Sequence, residues 1–362
     1  MTSFVESCIV QTAGSAIAVE RESRHRPRAR KLLKLLQGKR NILVTAHKHP
    51  DPDALASAYA ITKLLRTMLP EAKVTTSVKG IVGGGYNEAF LKQNDIKLRP
   101  WHDEKLASYD AILLMDVQPT FKLNPLPDGV MPTAVIDHHR SRGRRPKCDF
   151  CDIRTDVGAT SSIVFSYYME LEVPIPPDLA ATLLFAIETD LAGAAGQPGE
   201  LDNIALSSLT LIADPRKLYQ MRYADLPQSY YLVYSQALSN AMFEGKALIS
   251  HLDTIDSLEQ PAVMADFLLR FDQVEWALVT AIAGDKLVLS LRTSAAKASA
   301  ADVMRRLLRN LGEGGGHRTK AGGFIKLETG TPAEVERIRK LLWARYLRAV
   351  GIKTSRGQKL IK

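Results

Sequence analysis

A chain of 362 residues is long enough for two domains at roughly 100–200 residues each. Its 46% hydrophobic and 24% charged residues, with no apolar run near the ~18 that span a bilayer, exclude disordered and membrane-spanning classes. The net charge of +9 is concentrated at the ends, +6 in residues 1–40 and +7 in residues 331–362, so the body between is mildly acidic and a large basic groove for long DNA is excluded.

Residues 1–27 lack periodicity and read as a poorly ordered extension, followed by a short amphipathic helix at about 28–37. Short aliphatic runs at Ile42–Thr45, Val74–Val78, Ala111–Met115 and Thr133–Ile136 read as parallel strands. Between the first two, Ala54–Met68 carries Leu55, Tyr59, Ile61, Leu65 and Met68 on roughly one helical face, and Pro70 stops it. Strand, helix, strand, repeated, predicts an α/β domain with a doubly wound, mostly parallel sheet, whose sites form outside the carboxyl ends of the strands. Helices follow at Ser161–Met169, Leu179–Glu188 and Asn203–Ile212, with Asp214-Pro215 as a break and a connecting helix at about 227–243. Val274–Ala283, the turn Gly284-Asp285 and Leu287–Arg292 form a hairpin; a helix at about 300–311 and a glycine cluster complete a smaller second domain. Gly83-Gly84-Gly85 lacks both the Lys-Ser/Thr of a phosphate loop and the third glycine of a dinucleotide fingerprint, and reads as a plain loop. Three cysteines cannot build a disulfide framework, so Cys148 and Cys151 are expected to be reduced. No basic stretch precedes the weak apolar run of the first 20 residues; the expected location is the cytoplasm.

The chemistry gathers at strand ends. His47, Asp51 and Asp53 follow the first strand, Asp116 the third, and Asp137, His138 and His139 the fourth. One strand-end Asp is usually a cap, and Asp51 or Asp53 could cap the next helix. Seven such residues at three strand ends have no comparable structural reason. Imidazole with carboxylate oxygens is the donor mix for Mn²⁺, Fe²⁺, Co²⁺ or Zn²⁺, and so many carboxylates would repel without cations among them. His49, lying between ligands, is assigned to support them. Gly158–Ser162 reads as a helix cap whose amides could reach a phosphate.

Here the residues resemble a known family. His47-x3-Asp51-x-Asp53, the apolar strand ending in Asp116, Asp137-His138-His139 and Glu188-Thr189-Asp190 look like the four motifs of the DHH phosphoesterase superfamily. Gly314-Gly315-Gly316-His317, with Ala321-Gly322-Gly323 after it, resembles the signature of the DHHA1 domain. The compact size is most similar to the NrnA-like group of nanoRNases and phosphatases of 3′-phosphoadenosine 5′-phosphate (pAp). The resemblance implies a basic, partly disordered extension (1–37), a DHH catalytic domain (38–220), a helical linker (221–243), a smaller α/β DHHA1 domain (244–330), and a basic C-terminal helix and tail (331–362).

It also implies one divalent ion on His47, Asp51 and Asp116 and another on Asp53, Asp116, His138 and Asp190, most often Mn²⁺, with Co²⁺, Fe²⁺ or Mg²⁺ as alternatives. A hydroxide between two such ions attacks in line, with Asp116 and His139 as the catalytic pair. His139 and Arg140 would face the phosphate, Arg292, Gly315, Gly316 and His317 would bind substrate, and Asp137 would orient a histidine ring. The expected activity is hydrolysis of short oligoribonucleotides and pAp. A phosphodiesterase of cyclic di-AMP or pApA uses the same motifs, and a non-catalytic nucleotide-binding regulator would have lost a ligand, whereas all are present. The expected partners are short RNA and small phosphorylated nucleotides; no motif specifies an oligomer, and a homodimer stays open.

Overall fold

The computed structural model describes residues 27–80, 85–140, 146–191, 198–316, 318–353 and 356–361. His317, Arg142, Arg144, Arg145, Gly83 and Gly84 therefore lie outside the described residues. The described residues form two compact units, the first of residues 27–80, 86–191 and 198–224 and the second of residues from Asp225 onward together with Gly85. No helix among the described residues is long and apolar enough to cross a membrane.

The first unit opens with α1 (Arg28–Leu36), whose Ala29, Leu32 and Leu36 face the core at helical spacing. Then come β1 (Asn41–Ala46), α2 (Pro52–Met68), β2 (Lys73–Thr76), α3 (Gly85–Gln93), a 3₁₀ turn at Asp103–Ser108, β3 (Ala111–Met115), β4 (Ala134–Asp137) and β5 (Phe150–Ile153). Helices α4 (Thr160–Glu170), α5 (Pro177–Leu191), α6 (Glu200–Ile212) and α7 (Pro215–Arg222) finish it. All five strands are parallel, in the order β2-β1-β3-β4-β5. The two sheet faces are covered unequally. Ile42, Val44, Leu113, Met115 and Ile136 pack into the main core with the helices, whereas Leu43, Ile112, Leu114 and Val135 meet Leu106, Val117 and Leu126 from the 3₁₀ turn and irregular chain. Strand order reverses direction between β1 and β3, which opens a crevice at their carboxyl ends.

Strand β5 was not anticipated. Its Phe-Cys-Asp-Ile sequence lacks an apolar run because Asp152 is buried, held by Arg154 and by the Tyr167 hydroxyl at 2.8 Å. Cys148 and Cys151, expected to be reduced, are joined as a disulfide; their Cα atoms lie 6.3 Å apart. Asp214-Pro215 is a helix start rather than a break, since the Asp214 carboxylate accepts from the Arg216 and Lys217 amides.

The second unit contains α8 (Gln228–Ser239), β6 (Met242–Glu244), β7 (Ala247–Thr254), α9 (Gln260–Leu268), β8 (Trp276–Ala283), β9 (Lys286–Thr293), α10 (Ala300–Leu308), β10 (Glu313–Gly316), β11 (Lys320–Lys326), α11 (Pro332–Ala349) and β12 (Gln358–Lys359). Its seven strands form one sheet, β10-β11-β9-β8-β7-β6-β12. The β8–β9 hairpin pairs Ala283 with Lys286 across the expected turn. Segments the sequence reading set apart are built into this unit. Val335, Ile338, Leu342, Tyr346 and Leu347 of α11 belong to its core, as does Ala237 of α8. The glycine cluster forms the edge strand β10. A Cβ on Gly314 would come 2.5 Å from Leu308 Cδ1, and one on Gly316, at φ +148°, 2.3 Å from the Lys320 carbonyl.

His251 on β7 bonds through Nδ1 to the Thr280 hydroxyl at 2.6 Å, and burial followed by the Arg339 charge holds its pKa down at about 3. The unfolded chain takes up a proton near 6.5 that the folded chain refuses, so this residue's contribution is full above that pH and is lost as pH falls toward 3. The difference in denaturation midpoint between wild type and His251→Gln is therefore expected to shrink from pH 7 to pH 4. A difference constant across that range would overturn the assignment.

Candidate metal centre

Everything the sequence placed at strand ends converges on the β1/β3 crevice. Beyond Ala46 the chain turns through His47, His49 and Asp51 into α2. His49, at φ +56°, and Asp116, at φ +59°, occupy the left-handed region that non-glycine residues rarely adopt, a strain of about 1–3 kcal/mol each that concentrates at functional sites. Asp116 is fixed there by its amide, which donates to the Ile136 carbonyl of β4 at 2.9 Å.

Each histidine has its tautomer set by a neighbour. His47 Nδ1 donates to the Lys48 carbonyl at 2.9 Å, which leaves Nε2 facing Asp116 Oδ2 at 3.6 Å and Asp51 Oδ1 at 3.9 Å. His138 Nδ1 donates to the Val157 carbonyl at 3.3 Å, leaving Nε2 3.5 Å from Asp116 Oδ1 and 3.3 Å from Asp190 Oδ2. His139 Nδ1 bonds Asp137 Oδ1 at 2.7 Å, and Gln118 Nε2 holds both Asp137 Oδ2 (2.7 Å) and the His139 carbonyl (2.8 Å). Asp51 also caps α2, accepting the Ala54 amide at 3.0 Å, so cap and candidate ligand are the same side chain.

Of the carboxylates expected to hold metal, Asp53 and Asp116 are buried, at 1% and 4% exposure. The N-terminus of α4 addresses both. The Thr160 and Ser161 amides donate to Asp53 Oδ2 and Oδ1 at 2.7 and 2.9 Å, and the Thr160 hydroxyl donates to Asp116 Oδ1 at 2.7 Å. The segment Gly158–Ser162, read as a helix cap, does begin a helix, and two of its amides are committed to a carboxylate, because a buried anion needs donors more than an exposed ligand does. Behind them, Asp202 Oδ2 accepts from the Gly158 and Gly199 amides at 2.6 and 2.8 Å. Gln118 and Asp202 carry no sequence signal for this site, and Thr160 and Ser161 read only as part of a helix cap. The available signal was a Ser/Thr pair opening a helix directly after Gly158.

These donors do not neutralise the site. Burial, then the charge of Asp190, pushes Asp53 up to about 7 despite His138 and Ser161. Burial and Asp53 push Asp116 well above the usual carboxylate range. Burial depresses His47, His138 and His139, yet the surrounding carboxylates outweigh it and all three are raised. Asp137 is lowered, since its bond to His139 and that ring's charge outweigh burial.

The cluster fits divalent cations by both charge and donors. His47, Asp51 and Asp116 form one group with ligand atoms all within 4.8 Å of one another; Asp53, His138 and Asp190 form a second, and Asp116, His138 and His139 a third. Asp116 is shared by two of them. Imidazole nitrogen with carboxylate oxygen suits Mn²⁺, Fe²⁺, Co²⁺ or Zn²⁺. His139, expected to face phosphate, thus also lies within reach of the ligand atoms. Arg140 is exposed. In the second unit, Arg292 Nε bonds Asp266 Oδ1 at 2.8 Å and Nη1 bonds the Ser290 hydroxyl at 3.0 Å, while Gly315 has nothing within 4 Å of a Cβ position.

Residues 41–187 match the model of the DHH family, N-terminal domain. An uncharacterized protein of Methanocaldococcus jannaschii is 28% identical over 320 residues, 86% of this chain and 64% of that protein. A probable manganese-dependent inorganic pyrophosphatase of Lactobacillus gasseri is 29% identical over 151 residues, 41% of this chain and 47% of that protein. The chain thus spans under two thirds of the length of both relatives. A crystal structure of an exopolyphosphatase-related protein from Bacteroides fragilis superposes with a TM-score of 0.71 at 17% identity, covering 90% of this chain and 98% of that one, a likeness of fold.

Thr160→Val keeps the backbone donors to Asp53 and removes only the hydroxyl on Asp116. Mn²⁺ affinity measured by titration calorimetry should fall about 10–100-fold, the usual effect of losing a group that orients a ligand. Wild-type affinity in a variant of unchanged circular dichroism would show that the hydroxyl does not orient Asp116.

Proposed function

Residues 41–187 belong to the DHH superfamily, and from that premise we propose that the chain is a two-metal phosphoesterase acting on short oligoribonucleotides and on pAp. The observation that carries the reading is a pair of adjoining ligand groups, His47, Asp51 and Asp116 in one and Asp53, His138 and Asp190 in the other, with His138 also within ligand distance of Asp116. His47, Asp51, Asp53, Asp116, His138 and Asp190 would hold the ions, most often Mn²⁺. Held there, divalent ions supply positive charge against the phosphoryl oxygens and acidify water at neutral pH.

The chain's own residues do the rest. The α4 N-terminus keeps Asp53 and Asp116 in their ionised orientation. Asp137 raises the proton affinity of His139 and fixes its Nδ1–H, so the protonated ring would present Nε2–H to a phosphoryl oxygen that gains charge in the phosphorane-like transition state. Arg140 adds a second donor to that oxygen. The resemblance to the DHHA1 signature assigns substrate contacts to Arg292, Gly315, Gly316 and His317. A mildly acidic body supports a small substrate over a long strand.

Asp116→Asn should lower kcat by more than about 10³-fold, the upper end of what loss of one preorganised group costs. Chelation should abolish activity and Mn²⁺ should restore it. The decisive assay is a panel of pAp, pApA, cyclic di-AMP, a 3-mer and a 24-mer RNA, and pyrophosphate. Preference for pAp and the 3-mer supports the reading, preference for pApA or pyrophosphate replaces its substrate, and retained turnover in Asp116→Asn removes its mechanism.

A further inference from the structure

The end of α10 and the last turn of α11, both in the second unit, enclose an open concavity of about 390 Å³ lined by Arg306, Arg309, Asn310, Arg345, Arg348 and Ala349. Four guanidinium groups line it and no carboxylate does. Arg345 has a structural explanation. Its Nη1 donates to the Leu307 and Arg309 carbonyls at 2.9 and 2.8 Å, satisfying oxygens that the end of α10 leaves without helical partners. Arg306, Arg309 and Arg348 are exposed, and among the described residues no carboxylate bonds any of them. Asp302, one turn before Arg306, is engaged by Arg305 and feels Arg306 only through its charge.

Two helices end at this surface, and each negative helix end favours a nearby cation by about 0.3–1 kcal/mol. One cation per end would meet that preference; four repel one another. Guanidinium planes match phosphate oxygens bidentately, better than ammonium groups do. We propose that this concavity binds the phosphodiester backbone of a single-stranded nucleic acid. Three unpaired guanidiniums on an open surface suit two consecutive phosphates rather than one enclosed ion. With no aromatic side chain in the lining, nothing stacks on bases, so recognition is of the backbone and not of sequence. The net +7 of residues 331–362 draws a polyanion toward this face. The site uses none of the candidate metal ligands and does not depend on the hydrolytic reading.

The test is fluorescence anisotropy of a labelled single-stranded 12-mer RNA in EDTA, which removes metal-dependent cleavage. It compares wild type, the triple variant Arg306→Ala, Arg309→Ala and Arg348→Ala, and a charge-matched control with Arg337→Ala, Lys340→Ala and Lys353→Ala. The site variant should bind at least about tenfold more weakly, with a log Kobs against log salt slope shallower by about 1.4, two phosphates at ~0.7 each. The control should stay near wild type, and all three proteins should melt alike. Equal weakening in both triples would reduce the effect to net charge and overturn the proposal. So would wild-type RNA affinity in the site variant, including the case where calorimetry shows that it has lost binding of inorganic phosphate alone. If the site variant melts early, the milder Arg306→Gln and Arg348→Gln pair decides by the same slope.

Discussion

The structure of the first unit is organised around the cost of holding Asp53 and Asp116 out of water a few ångströms from further carboxylates. At an effective dielectric near 20, two like charges 4 Å apart repel by about 4 kcal/mol, and burial adds to that. The chain answers with geometry. The strand order reverses between β1 and β3, so three strand ends and the α4 N-terminus face one crevice. Two α4 amides and a hydroxyl lie against the carboxylates. That these contacts leave Asp53 at about 7 means the local dipoles supply only part of the positive charge required. Divalent cations bound here would supply the remainder, and histidines whose Nδ1 is already donated leave Nε2 open toward them.

The same requirement explains the backbone. A residue at φ +59° would relax if the strand end were loose. It cannot relax here, because Leu113 and Met115 are clamped in the helical core and Ile112 and Leu114 in the opposite one. Asp116 is the first residue beyond a strand that is fully buried on both faces, so its side chain inherits the precision of two cores.

That double burial also governs what could be read from sequence. Ala111–Met115 is apolar throughout because a parallel strand packed on both faces has no solvent side, and its limits are found to the residue. Strand β5 escaped because Asp152 trades hydrophobicity for a buried bond network with Arg154 and Tyr167. Helix α11 was read by its charge, yet Val335, Ile338, Leu342 and Tyr346 carry the i, i+3, i+4 spacing of a core face under the basic one. Asp190 sits at the end of an apolar helix and has no local signature; only the resemblance to the DHH motifs selected it, and the structure brings it within 3.3 Å of His138. Thr160 and Ser161 were visible as a helix start, but the partner of their donors is more than 100 residues away in sequence.

The second unit applies a different constraint to its glycines. Gly314, Gly316 and Gly323 are required by packing, since a Cβ at each would meet an atom within 3 Å. Gly315 is not required by packing, for nothing lies within 4 Å of its Cβ position. It is on β10, the terminal strand of the sheet, where an unpaired backbone edge invites association and is ordinarily blunted by a charged or bulky side chain. Leaving that position bare keeps the backbone of the edge approachable. The proposed arginine site of the same unit differs in chemistry. A bare backbone edge would offer an anion amide donors at close range, whereas the arginines of α10 and α11 would reach one through long side chains that tolerate variation in what they hold.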